Sequence, residues 1–286
     1  MNYTPVIIIG AGRSGTNMLR DILNELPGFH TWDCDEINPI WRYGNRNFPT
    51  DQLTVNMLTP SIKKYIRKRF NSLHKSTNAT HVLEKTCANS LRFDYVHAIF
   101  PEAKYIVINR DGRDVAPSAK KRWGAKFELS YTLKKMRYVP LVDLPYYIWK
   151  FGWNRIKKMV TKTTALSFWG PVYSELESQT ESYSLLEVCA LQWKACTNAI
   201  INQRKSVNNA TIFDIKYENF VTNPQEELKQ LIAFLELDAT QLDVDSLVQG
   251  VSSKSVGTHK KLAKNQQESL NAICKSTLNS LHYTSD

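Results

Sequence analysis

Two kinds of apolar pattern alternate along this chain: short unbroken runs, and stripes repeating at helical spacing. Val6 to Ile9 is an unbroken run closed by Gly10, the pattern of a strand buried on both faces of a parallel sheet. Met18, Leu19, Ile22, Leu23 and Leu26 then share one face of a helix predicted over Thr16 to Leu26. Further strands are predicted at Phe29 to Asp33, His81 to Glu84, Tyr105 to Asn109 and Thr211 to Ile215, with helical patterns between them. Strands separated by helices imply right-handed crossovers and a mainly parallel sheet. The expected fold is therefore α/β: three layers around a central five-stranded, mainly parallel sheet, as a single domain over 1–286.

The later helices carry start signals. Ser184 with Glu187 predicts a capping box ahead of the run Leu185, Cys189, Gln192, Trp193, Cys196 and Ile200. Asn223, Pro224 and Glu226 take the N-cap, first and third positions of a helix that turns Leu228, Leu231, Ile232 and Leu235 inward. Between Gly124 and Ser182 the periodicity fades. That segment mixes Tyr131, Tyr138, Tyr146, Tyr147, Trp149, Trp153, Phe168 and Trp169 with many basic residues. It is expected to be a partly helical insertion or lid beside a site (124–182).

Composition adds limits. With 286 residues and 42% hydrophobic content, the chain can bury a continuous core. A net charge of +10 favours anionic partners without naming one. The five cysteines are odd in number and form no C-x-x-C pair, which argues against a disulfide framework or zinc site and fits a reducing cytoplasm. Neither a signal peptide nor a spanning segment is expected, so the localisation expected is cytoplasmic.

Candidate chemistry begins at Gly10-Ala11-Gly12-Arg13-Ser14-Gly15-Thr16, placed between a strand and a helix. Glycines let the backbone turn tightly and approach an anion, and the helix start supplies unpaired N–H groups. Arg13, Ser14, Thr16 and Asn17 add side-chain donors. Gly10 and Gly15 have the spacing of a P-loop, as in P-loop NTPases, but Thr16 stands where the P-loop Lys belongs. No strand ending in Asp supplies a second magnesium ligand. The loop is expected to hold a phosphate-like group with no metal. A plain tight turn is the bland alternative.

A second motif follows the strand at Tyr105: Arg110-Asp111-Gly112-Arg113-Asp114-Val115-Ala116-Pro117-Ser118. A strand ending in Arg, with Ser eight residues on at a helix start, resembles the 3′-phosphate motif of sulfotransferases that use 3′-phosphoadenosine 5′-phosphosulfate (PAPS). The first loop is similar to that family's 5′-phosphosulfate loop. Glu84-Lys85-Thr86, Phe100-Pro101-Glu102-Ala103-Lys104, Tyr217-Glu218-Asn219-Phe220, Trp169-Gly170-Pro171 and Ser255-Val256-Gly257 add to the match, which is weakest over Gly124 to Ser167. The carbohydrate and general branch is the nearest in pattern. An ion-pair ladder of Arg110-Asp111 and Arg113-Asp114 is the bland alternative.

The resemblance implies PAPS as donor, with Gly12, Arg13, Ser14, Gly15, Thr16, Asn17, Arg110, Ser118, Gly257 and Lys260 around the nucleotide. Backbone amides after Gly257, with Lys260 and Lys261, are expected to reach the 3′-phosphate. Arg13 and Lys85 are expected at the transferring group. In the cytosolic small-molecule branch a histidine follows two residues after that lysine; here Cys87 takes its place. Other branches use an acidic residue after the second strand, which points to Glu36, with Asp35 and Asp33 behind it. The expected acceptor is a small molecule, glycan or lipid, with a hydroxyl preferred over an amine. Peripheral membrane contact through the insertion is allowed, and no nucleic acid partner is expected. Two rivals stay open: a P-loop-like kinase or NTPase, and a non-catalytic basic module built on Lys63-Lys64, Arg67-Lys68-Arg69 and Lys157-Lys158.

Overall fold

Val6 to Ile9 have no solvent side, and in the computed structural model of the chain they lie at the centre of the sheet. The structure describes residues 2–123, 138–139, 169–207, 211–240 and 242–283. The expected insertion falls outside the described residues except at 138–139 and 169–182, as does Lys157-Lys158. The elements are β1 (Thr4–Ile9), α1 (Thr16–Asn24), β2 (Phe29–His30), α2 (Asn38–Trp41), α3 (Pro60–Thr77), β3 (His81–Lys85), α4 (Phe93–Ile99), β4 (Lys104–Asn109) and α5 (Gly112–Trp123). They continue with α6 (Leu176–Ser182), α7 (Leu185–Gln203), β5 (Ile212–Lys216), α8 (Tyr217–Thr222), α9 (Pro224–Phe234), α10 (Val244–Val248) and α11 (Lys264–Ser280).

The five strands are all parallel, in the order β2-β3-β1-β4-β5. Side-chain alternation divides β1 and β4 between two cores. Ile7, Ile9, Tyr105 and Val107 pack with Trp41, Phe70 and Phe100 under α2, α3 and α4. Val6, Ile8, Ile106 and Ile108 pack with Leu19, Phe220 and Leu231 under α1, α8 and α9. Each such aliphatic side chain contributes roughly 1.5–3 kcal/mol by leaving water. A third cluster, with Val115, Ala119, Trp193, Cys196, Leu270 and Cys274, joins α5, α7 and α11.

The order reverses at β1: the chain passes from β1 to β2 on one side, then crosses from β3 to β4 on the other. Ligands of open parallel sheets bind beyond the strand C-termini at such a reversal. Both anion motifs leave the sheet there, from β1 and from its neighbour β4. Their distance in sequence thus becomes adjacency in space.

Two expectations change. β2 is two residues long rather than five, because the chain turns inward to set Trp32 edge-on against Phe70, ring centres 4.8 Å apart. Ser118 is not at a helix start. Helix α5 begins at Gly112, where the Asp111 carboxylate accepts from the Arg113 amide at 2.8 Å, and Pro117 lies inside the helix. On α3, Lys64 and Lys68 are exposed, while Lys63 Nζ and Arg67 each donate at 2.7 Å to the carbonyls of Ala98 and Ile99 at the end of α4. The capping box of α7 forms as expected, with Ser184 and Glu187 each accepting the other's amide. Among the described residues, no helix is long and apolar enough to cross a membrane.

Candidate active site

The loop between β1 and α1 holds two consecutive signs of an anion cradle. Arg13 has φ 71° and Gly15 φ 95°, both left-handed, with the buried Ser14 between them. Left-handed turns of this kind aim successive backbone N–H groups into one concavity. Gly15 is required twice over: a Cβ there would lie 2.5 Å from Cδ2 of Tyr217. At Gly12 the crowding comes from above, where a Cβ would meet the Trp169 ring at 3.3 Å.

The second motif reaches back to this loop. Arg110 donates to the Arg13 carbonyl at 3.0 Å and to the Ser255 carbonyl at 2.8 Å. Its guanidinium carbon lies 4.1 Å from the centre of the Tyr217 ring, and the Tyr217 hydroxyl is 2.7 Å from Ser255 Oγ. Arg110 Nε is buried and has no hydrogen-bond partner among the described residues. Arg13 Nε in turn donates to Ser118 Oγ at 3.1 Å. Burial, followed by the nearby guanidinium groups of Arg122 and Arg110, lowers the proton affinity of Arg13. Cations gathered against their own repulsion, with a buried donor unanswered, suit a polyanion.

The support beneath Arg110 is specific. Trp193 Nε1 donates to the Arg110 carbonyl at 3.1 Å, and a Cβ at Gly112 would come within 2.2 Å of the Trp193 ring. Trp193 is thus a core residue, as expected from its helix face. The loop after Ser255 is held from α5. Asp114 accepts from the amides of Gly257 (2.7 Å) and His259 (2.9 Å), from Thr258 Oγ1 (3.1 Å) and from His259 Nδ1 (2.7 Å). The Gly257 and His259 amides, expected as donors to a phosphate, therefore already have a protein acceptor. Lys260 lies exposed in the same turn, its amide bonded to the Gly257 carbonyl at 3.1 Å.

On the other side of β1, the end of β3 carries a third group. Lys85, opposite Ile8, is buried and pairs with Glu36 Oε1 at 3.3 Å. The Cys87 amide donates to the same oxygen at 3.3 Å. Burial alone would lower the Lys85 pKa, but Cys87 and Glu36 outweigh it and the net shift is upward. Burial, reinforced by Glu36, pushes the Cys87 thiol up to about 12, so it stays protonated at neutral pH and is no base. Cys87 Sγ lies 3.7 Å from Thr16 Oγ1, which ties this group to the cradle. Asp35 pairs instead with Arg20 at 2.8 Å, and Asp33 is exposed. Asn17 sits one residue into α1.

The sequence matches the profile of the sulfotransferase family over residues 5–159 and 164–241. The chain belongs to the sulfotransferase family. It is an enzyme of the PAPS-dependent kind, and the kinase reading and the non-catalytic reading both fall with that assignment. The sulfotransferase fold also appears in solved structures. The sulfotransferase domain from the curacin biosynthetic pathway superposes with a TM-score of 0.57 at 16% identity, covering 99% of each chain. A sulfotransferase from Alicyclobacillus acidocaldarius gives 0.55 at 14%, covering 98% of this chain and 95% of the other. Mouse sulfotransferase SULT7A1, complexed with PAP, gives 0.50 at 11%, covering 97% and 84%. No curated protein matches the sequence.

In the sequence Tyr217 and Ser255 stand only as landmarks of the resemblance and Asp114 only as part of the second motif; the structure puts Tyr217 under Arg110, Ser255 beside both, and Asp114 behind the late loop. All three depend on β4, α5, β5 and the 255–261 turn meeting in space. Spacing along the chain carries no signal of that meeting.

Proposed function

We propose that this sulfotransferase moves a sulfuryl group from PAPS to a hydroxyl of a carbohydrate, lipid or small-molecule acceptor. The observation that carries the donor assignment is the contact between the two motifs: Arg110 on the Arg13 carbonyl and Arg13 on Ser118. It joins the cradle and the second cation cluster into one basic surface, suited to the charge at both ends of a nucleotide. Gly12 to Asn17 would hold the 5′-phosphosulfate. Arg110, Ser118 and Lys260 would hold the 3′-phosphate, the buried Arg110 Nε being the donor that awaits it, with Gly257 shaping the turn that carries Lys260.

In the transfer, the acceptor oxygen attacks sulfur in line while the bond from sulfur to the bridging phosphate oxygen breaks. Negative charge grows on that leaving oxygen, and preorganised donors aimed there lower the barrier. Arg13 and Lys85 are the cations assigned to this charge. The acceptor proton goes to Glu36, whose carboxylate is held in place by Lys85 and the Cys87 amide. Glu36 thereby takes the role for which the cytosolic branch uses histidine. No metal ligand is part of this scheme.

Binding of adenosine 3′,5′-bisphosphate tests the donor assignment. Arg110→Ala removes charge-assisted hydrogen bonds of roughly 1.5–3 kcal/mol each, so its dissociation constant should rise at least about tenfold. Wild-type affinity in that variant would overturn the assignment.

A further inference from the structure

We infer that Asp114 is a positioning residue for the 3′-phosphate end of the donor, because its carboxylate gathers the 255–261 turn and sets that turn against Arg110. The inference rests on the donor assignment above. Asp114 is buried on α5, one turn beyond Arg110, and touches none of the groups assigned to the nucleotide except the turn itself. Four donors from Gly257, Thr258 and His259 converge on its two oxygens. With the turn anchored there, the Ser255 carbonyl meets Arg110 at 2.8 Å and Ser255 Oγ meets Tyr217 at 2.7 Å. Arg110 is thus oriented through Ser255, and Lys260 is carried by the same turn.

The anchor is built from charge. Burial alone would raise the Asp114 pKa, but the hydrogen bonds from the His259 ring, the His259 amide and the Gly257 amide outweigh it and hold the group below the usual carboxylate range. At its far end the turn is also held by Gln267 of α11, which donates to the carbonyls of Lys260 and Leu262 at 3.2 and 2.8 Å, but the bonds from Gly257 to His259 into α5 are those to Asp114. Gly257 takes φ 71° with nothing within 4 Å of a Cβ, Val256 is exposed, and Lys254, Lys260 and Lys261 face solvent. Without Asp114 the stretch from Gly257 to His259 would lose its four bonds to α5, and with them the rigid placement of the Ser255 carbonyl against Arg110.

The test compares two nucleotides, adenosine 3′,5′-bisphosphate and adenosine 5′-monophosphate, which lacks the 3′-phosphate. In Asp114→Asn the bisphosphate should bind at least tenfold more weakly while monophosphate affinity stays within twofold. Trypsin should cut after Lys254, Lys260 and Lys261 faster than in the wild type. Should Asp114→Asn not fold, the double variant Thr258→Val/His259→Ala keeps Asp114 and removes two of the donors; it should weaken only the bisphosphate, at least threefold. Wild-type affinity for the bisphosphate in the folded variant, or an equal loss for both nucleotides, overturns the inference. Arg110→Ala measured alongside separates the two failures: if it too leaves the bisphosphate unaffected, the donor assignment is what has failed.

Discussion

Glu36, Lys85 and Cys87 illustrate how far single residues can be read. Glu-Lys-Thr-Cys announced that the histidine of one branch was missing, and the acidic run after β2 offered three replacements. The sequence already put Glu36 first, and the contacts support that order: Glu36 meets Lys85 and the Cys87 amide, whereas Asp35 is engaged by Arg20 and Asp33 faces water. General bases contribute about 10²–10⁴-fold to rate, so Glu36→Gln should lower kcat by at least about a hundredfold with donor affinity preserved. Turnover near wild type in a folded Glu36→Gln protein would remove the base from this position. Steady-state kinetics with saturating PAPS, together with bisphosphate titration, would report both quantities.

At the scale of elements, the cradle and the end of β3 are each under strict local constraint. Gly15 cannot accept a side chain, since its left-handed backbone costs an L-residue roughly 1–2 kcal/mol and Tyr217 occupies the space. Gly15→Ala should therefore lower thermal stability and abolish bisphosphate binding, as seen by calorimetry. Beside Lys85, the fully buried Glu84 accepts from Thr86 Oγ1 at 2.5 Å and Asn89 Nδ2 at 2.9 Å. Burial, partly offset by the Thr86 hydrogen bond, pushes its carboxyl from 4.5 up to about 7. Between those two pH values the folded state binds a proton that the unfolded state has released, so stability falls as pH rises and is flat above about 7. The effect is on the order of 3 kcal/mol at the 1.36 kcal/mol that each pH unit represents. Chemical denaturation of Glu84→Gln should show this slope flattened, with stability at pH 8 no lower than wild type. An unchanged slope would mean that Glu84 does not titrate in this range.

For the whole molecule, the net charge of +10 has a local focus: Arg13, Arg110 and Arg122 lie close together at the sheet reversal. A ligand at a hundred times its dissociation constant stabilises a fold by about 2.7 kcal/mol. Adenosine 3′,5′-bisphosphate should accordingly raise Tm, by the same amount in EDTA as in magnesium if the cradle works without metal. A rise seen only with magnesium would contradict that. Much of this architecture was legible in the chain. Apolar runs such as Val6 to Ile9 determine buried strands because no solvent face exists for them, and Gly10 to Thr16 determine a tight strand-to-helix turn because glycine accepts the left-handed backbone there. Ser184 and Glu187 determine a helix start through bonds that close within one turn. Local physics sufficed in each case. Where the chain itself is the context, sequence sets the outcome. The shortness of β2, the seating of Tyr217 and Ser255 against Arg110 and the anchoring of the late turn by Asp114 were decided by tertiary structure alone. Each depends on burial and on partners from distant segments, and hydrogen bonds between such segments exist only once the sheet has brought them together.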